Sequence, residues 1–400
     1  MNRTKLILAA ILFCAVLAFL GALMASPTLG ESQEALAKGN TAFAVDLFRE
    51  LCSSEGNLFF SPYSITSALG MTFAGARENT AKEMKDVLHF GLSQSDLPST
   101  FKNLNRDLKA SACMIGQKLN IANGLCLTGG YASDEFKNLL KDNFDAEVFT
   151  GGLEKVNNWV KQKTEGKIEK ILEALSPNSV CVLLNAIYFK GTWDSQFEKG
   201  DTREAPFKLA SKKQVTVPLM YQKSNFKLLS KRDFQIIEIP YRGKGMAMIV
   251  ILPKDVDGLT KFEGKMTTAN LTQWFAELDS THAQEAMLLL PKFKLKTSYS
   301  LVSHCKNLGM KDAFEVETAD FSGMGWPKGK LWISQIKHKA FVEVNEEGTE
   351  AAAATAVEMQ TKSIKRYPIF RADHPFLFLI RENTTGSLLF VGRMADPTGT

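Results

Sequence analysis

The sequence is poor in nearly everything a catalytic or metal centre requires. Its five histidines, His89, His282, His304, His338 and His374, show no His-Glu-x-x-His or comparable ligand spacing. No Gly-x-Ser-x-Gly elbow and no phosphate-cradling loop occurs; Gly243-Lys-Gly245 and Gly323-Met-Gly325 are too short for nucleotide fingerprints and read as turns. An enzyme is therefore not expected, and neither a metal nor any other required cofactor. Excess charge is also scarce. A formal +5 over 400 residues, two of them Arg3 and Lys5 at the very start, is too mild to imply nucleic acid. Cysteine is sparse and widely spaced. Beyond Cys14 there are Cys52, Cys113, Cys126, Cys181 and Cys305, an odd number that matches neither a zinc site nor a disulfide-dense scaffold. Cys181 sits in an apolar run and reads as a small buried hydrophobe, whereas pairing of Cys113 with Cys126 is left open.

Long apolar runs are limited to one, Leu6–Leu23. It follows Arg3 and Lys5 and precedes small residues at Ala25 and Ser26. Residues 1–25 are thus read as a secretory signal peptide, with an uncleaved membrane anchor as the alternative. The body is expected to be soluble, secreted and extracellular, with no membrane contact after signal removal. Asn270-Leu-Thr and Asn383-Thr-Thr are glycosylation sequons if the host uses them. No Pro/Gly/Ser linker, charge block or internal repeat divides the remainder, so a single domain over 34–397 is expected.

What is present alternates between helical and strand periodicity. Phe43, Leu47 and Leu51 recur every four residues within Lys38–Leu51, a helix signal. Ser61-Pro62 is a cap followed by proline at the first helical position, and Thr80-Ala-Lys-Glu83 reads as a capping box. Leu119–Leu127 alternates as a strand, and helices are expected over Ser133–Phe144 and Leu153–Leu172. Val180–Phe189 is almost wholly apolar, hence a strand covered on both faces, interrupted by Asn185. A buried amide costs a few kcal/mol, about 1–3, unless it is hydrogen-bonded, so Asn185 must have partners. Strands follow near Val215–Met220, Phe226–Leu229, Phe234–Pro240, Met246–Pro253 and Met287–Lys296. Helices near Leu259–Lys265, Thr268–Leu278 and Tyr299–Leu308 intervene, and a hairpin over Ile369–Arg393 closes the chain. The class is α+β.

One stretch fits neither pattern. A strand signal through Val344 runs straight into Glu346-Glu347-Gly348-Thr349-Glu350-Ala351-Ala352-Ala353-Ala354-Thr355 and on to Ser363. Composition favours a short solvated helix, because alanine is the best helix former. Parity favours a strand. Thr349, Ala351, Ala353, Thr355, Val357 and Met359 share one side without a charge, and Glu350 and Glu358 fall on the other.

This stretch resembles the hinge and reactive loop of the serpins, and the resemblance extends from about Ala37 to Pro397. Asn57-Leu-Phe-Phe-Ser-Pro-Tyr-Ser64, Leu184-Asn185-Ala-Ile-Tyr-Phe-Lys-Gly-Thr-Trp193, Leu290-Pro291-Lys292-Phe293, Asp373-His374-Pro375-Phe376-Leu-Phe-Leu-Ile380 and Leu389-Phe390-Val-Gly392-Arg393 are similar to that family's segments, in the same order. The resemblance implies a serpin fold with three β-sheets, about nine helices and an exposed reactive loop at 346–368. It implies a hinge over Glu346–Thr355, a polar cluster of Ser61, Ser64, Asn185 and His338 where the large sheet opens, and Trp193 and Lys292 at the top of that opening.

The function it implies is suicide inhibition of a serine protease. In the family the residue before the cleaved bond usually lies sixteen positions beyond the first hinge glutamate, which is Lys362, followed by Ser363. A lysine there suits a trypsin-like protease, held in a covalent complex with the monomeric inhibitor. Lys365 and Arg366 are alternative baits. Lys102, Arg106 and Lys109 form a helical stripe where some serpins bind heparin-like polyanions, although a solvated face explains three charges equally simply. The competing reading is a non-inhibitory serpin acting as carrier, chaperone or storage protein.

Overall fold

The computed structural model describes residues 28–112, 117–128, 130–150, 152–175, 179–210, 213–349 and 367–399. Among them are nine α-helices: α1 Leu29–Leu51, α2 Pro62–Gly75, α3 Glu78–Val87, α4 Leu97–Ala112, α5 Asp134–Phe144, α6 Leu153–Lys163, α7 Leu259–Glu263, α8 Thr268–Asp279 and α9 Val302–Leu308. The strands are β1 Leu58–Phe60, β2 Lys118–Leu127, β3 Glu147–Thr150, β4 Cys181–Thr192, β5 Arg203–Lys208, β6 Gln214–Ser230, β7 Phe234–Pro240 and β8 Met246–Pro253. They continue with β9 Gln284–Pro291, β10 Phe293–Ser300, β11 Ile333–Asn345, β12 Gly348–Thr349, β13 Ile369–Arg371, β14 Phe376–Glu382 and β15 Leu388–Met394.

The apolar run of β4 makes it a central strand, with all its residues but Lys190 buried. It pairs antiparallel with β2 and parallel with β11, in a large sheet ordered β10-β11-β4-β2-β3. β12 is wedged between β11 and β4 at one end. Strands β1, β15, β14, β8 and β7 form a second sheet, and β9 and β13 belong to a third. The 17-residue β6 serves both, pairing with β9 through Leu219–Phe226 and with β7 through Lys227–Ser230. Two strands had been expected where this one runs.

Aromatic rings fill the space between the large and second sheets. Phe189 and Phe293 of the large sheet meet Phe390 and Phe378 of the second at 6.2 and 5.1 Å between centroids. Each fully buried ring contributes up to about 3 kcal/mol of transfer free energy. Helix α2 enters the same core, and every one of its residues except Ala74 is buried. The other face of the large sheet has its own apolar cluster. Val156, Trp159 and Val160 of α6, with Ile168, Ile171 and Leu172 beyond it, pack on Ala122, Cys126, Val182, Leu184 and Ala186.

Helix boundaries differ from expectation at several points. α6 stops at Lys163 because Glu165 (φ 51°) and Gly166 (φ 80°) take the left-handed conformation, and residues 164–175 cross the sheet as a non-helical strap. The Thr80 capping box is not formed. α3 starts earlier, at Glu78, and the Thr80 hydroxyl instead accepts the Asp320 N–H at 3.0 Å. Conversely, Thr28 and Glu31 do make a capping box, at the head of a longer α1.

Candidate functional site

Parallel neighbours β11 and β4 meet in register from Ile333/Cys181 to Phe341/Tyr188. Beyond Phe341 they part, and β12 fills the gap antiparallel to both. Val344 and Asn345 face Thr349 and Gly348 on one side, and Gly191 and Thr192 face the same two residues on the other. A seam in the centre of the large sheet is therefore already opened at one end by the segment leading into the small-residue stretch.

The open end is held by a dense set of contacts. The Trp193 indole donates to the Asn345 carbonyl at 3.0 Å and stacks on Tyr241 at 4.6 Å. Backbone N–H groups of Trp193 and Phe197 donate to the carbonyls of Glu347 and Glu346, at 3.0 and 2.9 Å. The Glu346 carboxylate is buried and takes Lys292 at 2.9 Å and the Thr202 hydroxyl at 2.8 Å. Burial pushes that carboxyl up. Hydrogen bonds from Lys292, its own backbone and Thr202 outweigh the burial and hold it below the ordinary range. Lys199 reaches Glu347 at 2.5 Å. Exchanging Glu346 for lysine removes the acceptor of both Lys292 and Thr202 and sets like charges together. Glu346→Lys should cost the native form roughly 2–4 kcal/mol and release the hinge for strand exchange between molecules. Size-exclusion chromatography after mild heating should show polymers, and a monodisperse profile would count against this role.

Halfway along the closed seam lies the polar cluster. Asn185 and His338 are registered partners, and the His338 Nδ1–Asn185 Oδ1 distance is 2.6 Å. The Asn185 amide donates to the Ser64 carbonyl, the Ser64 hydroxyl and Asn123 Oδ1 at 2.9, 2.5 and 2.8 Å. The Ser61 backbone N–H donates to His338 Nε2 at 3.1 Å, and the Ser61 hydroxyl caps α2 by accepting the Ser64 N–H. Since Ser61 N–H can only donate, the ring proton sits on Nδ1 and points to Asn185. Burial pushes the ring's pKa down to about 3, so it is neutral at physiological pH. Ser61, Ser64, Asn185 and His338 thus converge with no orphaned amide atom, bridging α2 to both strands that flank the seam.

A family model described as "Serpin (serine protease inhibitor)" matches residues 38–397. The chain belongs to the serpins. A leukocyte elastase inhibitor of Equus caballus is 41% identical over 385 residues, covering 91% of this chain and 100% of that protein. Serpin B6 of Pongo abelii is 39% identical with the same coverage. The crystal structure of the thermophilic serpin tengpin in its native state superposes with a TM-score of 0.82 at 28% identity, over 90% of this chain and 94% of that one.

Membership in a family described as serine protease inhibitors makes the chain a non-catalytic protein and not an enzyme. The relatives also correct one expectation. Leukocyte elastase inhibitor and serpin B6 are intracellular serpins, which overturns the reading of residues 1–25 and of the body as those of a secreted, extracellular protein. Cys52, Cys181 and Cys305 are free, and burial holds Cys181 and Cys305 protonated, the latter pushed up to about 12. Among the described residues no helix is long and apolar enough to cross a membrane.

The serpin's remaining sequence-derived site residues divide in two. Glu346, Glu347, Gly348 and Thr349 lie at the wedge. Glu350, Ala351, Ala352, Ala353, Ala354, Thr355, Lys362, Ser363, Lys365 and Arg366 lie outside the described residues. On α4, Arg106 pairs with Asp107 at 3.0 Å and Lys109 with Asp145 at 2.5 Å, and Asp142 shares a shallow groove with Lys102. Sequence reasoning did not find Asn123, Thr202 or Lys199. Asn123 had a signal, a second amide interrupting an apolar strand; the other two had none.

Proposed function

We propose that this serpin inhibits trypsin-like serine proteases as a monomeric suicide substrate that needs no cofactor. The protease serine attacks the Lys362 carbonyl, the Ser363 amine leaves, and an acyl-enzyme remains tethered through Lys362. Lysine suits a specificity pocket that presents a carboxylate; Lys365 and Arg366 offer secondary bonds. The acids beside Arg106 and Lys109 favour a mixed, solvated face over a polyanion site.

The observation that carries the reading is the wedge. Continuing the antiparallel register of β12 brings residue 351 opposite Val342 and Phe189, and residue 355 between His338 and Asn185. A freed loop that follows this register gains ladder hydrogen bonds on both sides. On the parity of residue 349, Ala351, Ala353 and Thr355 are small and uncharged, so no charge enters the core. Insertion then drags the tethered protease away before water deacylates it, and a carrier or storage protein has no need of such a hinge.

Incubation with trypsin should give a covalent complex on a denaturing gel, with Ser363 at the start of the released carboxy-terminal peptide by mass spectrometry. Complete cleavage without complex would transfer the chain to the non-inhibitory class, and a peptide starting at Ile364 or Tyr367 would move the bond.

A further inference from the structure

The wedge ends where the seam closes, and that first closed rung is a pair of rings. Phe341 of β11 and Tyr188 of β4 are the last registered partners before β12 intervenes, with centroids 6.2 Å apart. Lys294 Nζ lies 5.4 Å from the Phe341 centroid on its own, whereas the Lys167 ammonium lies against both rings. Lys167 Nζ is 6.0 Å from the Tyr188 centroid and 5.6 Å from that of Phe341. Lys167 belongs to the strap that follows α6, and its position is fixed from behind. The left-handed Glu165 and Gly166 aim it back over the sheet, its N–H donates to the Thr164 carbonyl at 3.0 Å, and Glu165 is tied to Lys118 of β2 at 2.9 Å. Farther along the strap, Glu173 comes within 3.9 Å of Lys339 on β11.

The register of β12 sends residue 352 between Phe341 and Tyr188. Admitting one strand widens the gap between β11 and β4 by about 4.8 Å, which takes at least one ring beyond the ~6 Å reach of the ammonium. We propose that Lys167 is a latch on the seam: its cation bridges Phe341 and Tyr188 and holds shut the first rung that the reactive loop must open. Lys167 touches neither the protease nor the cleaved bond, and acts by positioning the two rings. The latch rests on the insertion reading above. Its removal speeds insertion, which shifts an acyl-enzyme toward trapping and an intact molecule toward inserting its own or a neighbour's loop on warming.

The test separates the latch from the reading beneath it by using no protease. A synthetic peptide with the sequence of residues 349–362 is incubated with the intact protein, and the rate at which a heat-resistant adduct accumulates is recorded. Lys167→Met keeps the side-chain stem and removes the charge, and should take up peptide roughly three- to tenfold faster than the wild type. Lys167→Arg, which restores a cation over the rings, should return the rate to the wild-type value. Equal rates for Lys167→Met and wild type overturn the latch alone. An arginine variant as fast as the methionine one does the same, because the effect would then be one of packing and not of charge. A wild-type chain that takes up no peptide overturns the insertion reading, and the latch with it.

Discussion

Gly348→Val should turn the inhibitor into a substrate. Gly348 sits at φ +148°, a conformation side chains of L residues rarely adopt, and a Cβ there would run into the Gly191 carbonyl and come within 2.7 Å of the Thr192 Cα. Both obstacles are backbone atoms of a central strand and have no rotamer to escape into. The variant must therefore give up the pairing of Gly348 with Asn345 and Thr192, and with it the wedge from which insertion proceeds. A backbone conformation of this kind costs on the order of 1–3 kcal/mol when forced. If that cost falls on the insertion step, insertion slows roughly five- to a hundredfold, since each 1.36 kcal/mol is about tenfold in rate. The proposed bond at Lys362 is fourteen positions along the chain from Gly348, and its rate of cleavage by trypsin should be unaltered. On a denaturing gel the ratio of covalent complex to cleaved protein should fall by roughly tenfold or more. A wild-type ratio in Gly348→Val would show that the wedge is a bystander.

How far the site was legible in the sequence depended on whether a residue's environment is written in its neighbours. Asn185 was legible, because an amide inside an apolar strand demands partners wherever they come from. Which partners was not, since Ser61 and His338 are 277 residues apart and no periodicity links them. Those positions came from the family resemblance. Of the hinge only Glu346–Thr349 lie among the described residues; beyond them parity favours a strand and composition a helix, and it was the family resemblance that decided between the two. The strap bearing Lys167 was read as the tail of a helix. Ile168 and Leu172 continue the apolar spacing of α6, and side-chain spacing does not register that Glu165 and Gly166 have turned the backbone left-handed. β6 was divided in two by the polar run Tyr221–Asn225 between its apolar segments, although the strand continues through it and exchanges β9 for β7 as its partner just beyond.

Acid should weaken the native fold through one ring. His338 is fully buried, stacked near Tyr299 at 6.4 Å, and its two nitrogens are already committed to Asn185 and to the Ser61 N–H. A second proton, on Nε2, would put an N–H against the Ser61 N–H inside the buried core. Burial accordingly pushes its pKa down to about 3 from the ordinary imidazole value of about 6.5. The sign follows from which state binds the proton. Above pH 6.5 the ring is neutral folded and unfolded, and its full contribution is present. Between pH 6.5 and 3 the unfolded chain takes up a proton that the native chain refuses, so stability falls by about 1.4 kcal/mol per pH unit and levels off below. The loss attributable to this ring approaches roughly 5 kcal/mol at pH 3. Carboxylates such as Glu346 also lose native partners in acid, so the measurement is a difference. Denaturant midpoints at pH 7.5, 6 and 5 should converge for wild type and His338→Gln as pH falls, the variant being the weaker at neutral pH. Parallel curves would mean that the ring shares no linkage with folding and that its neutrality is not what keeps the seam closed.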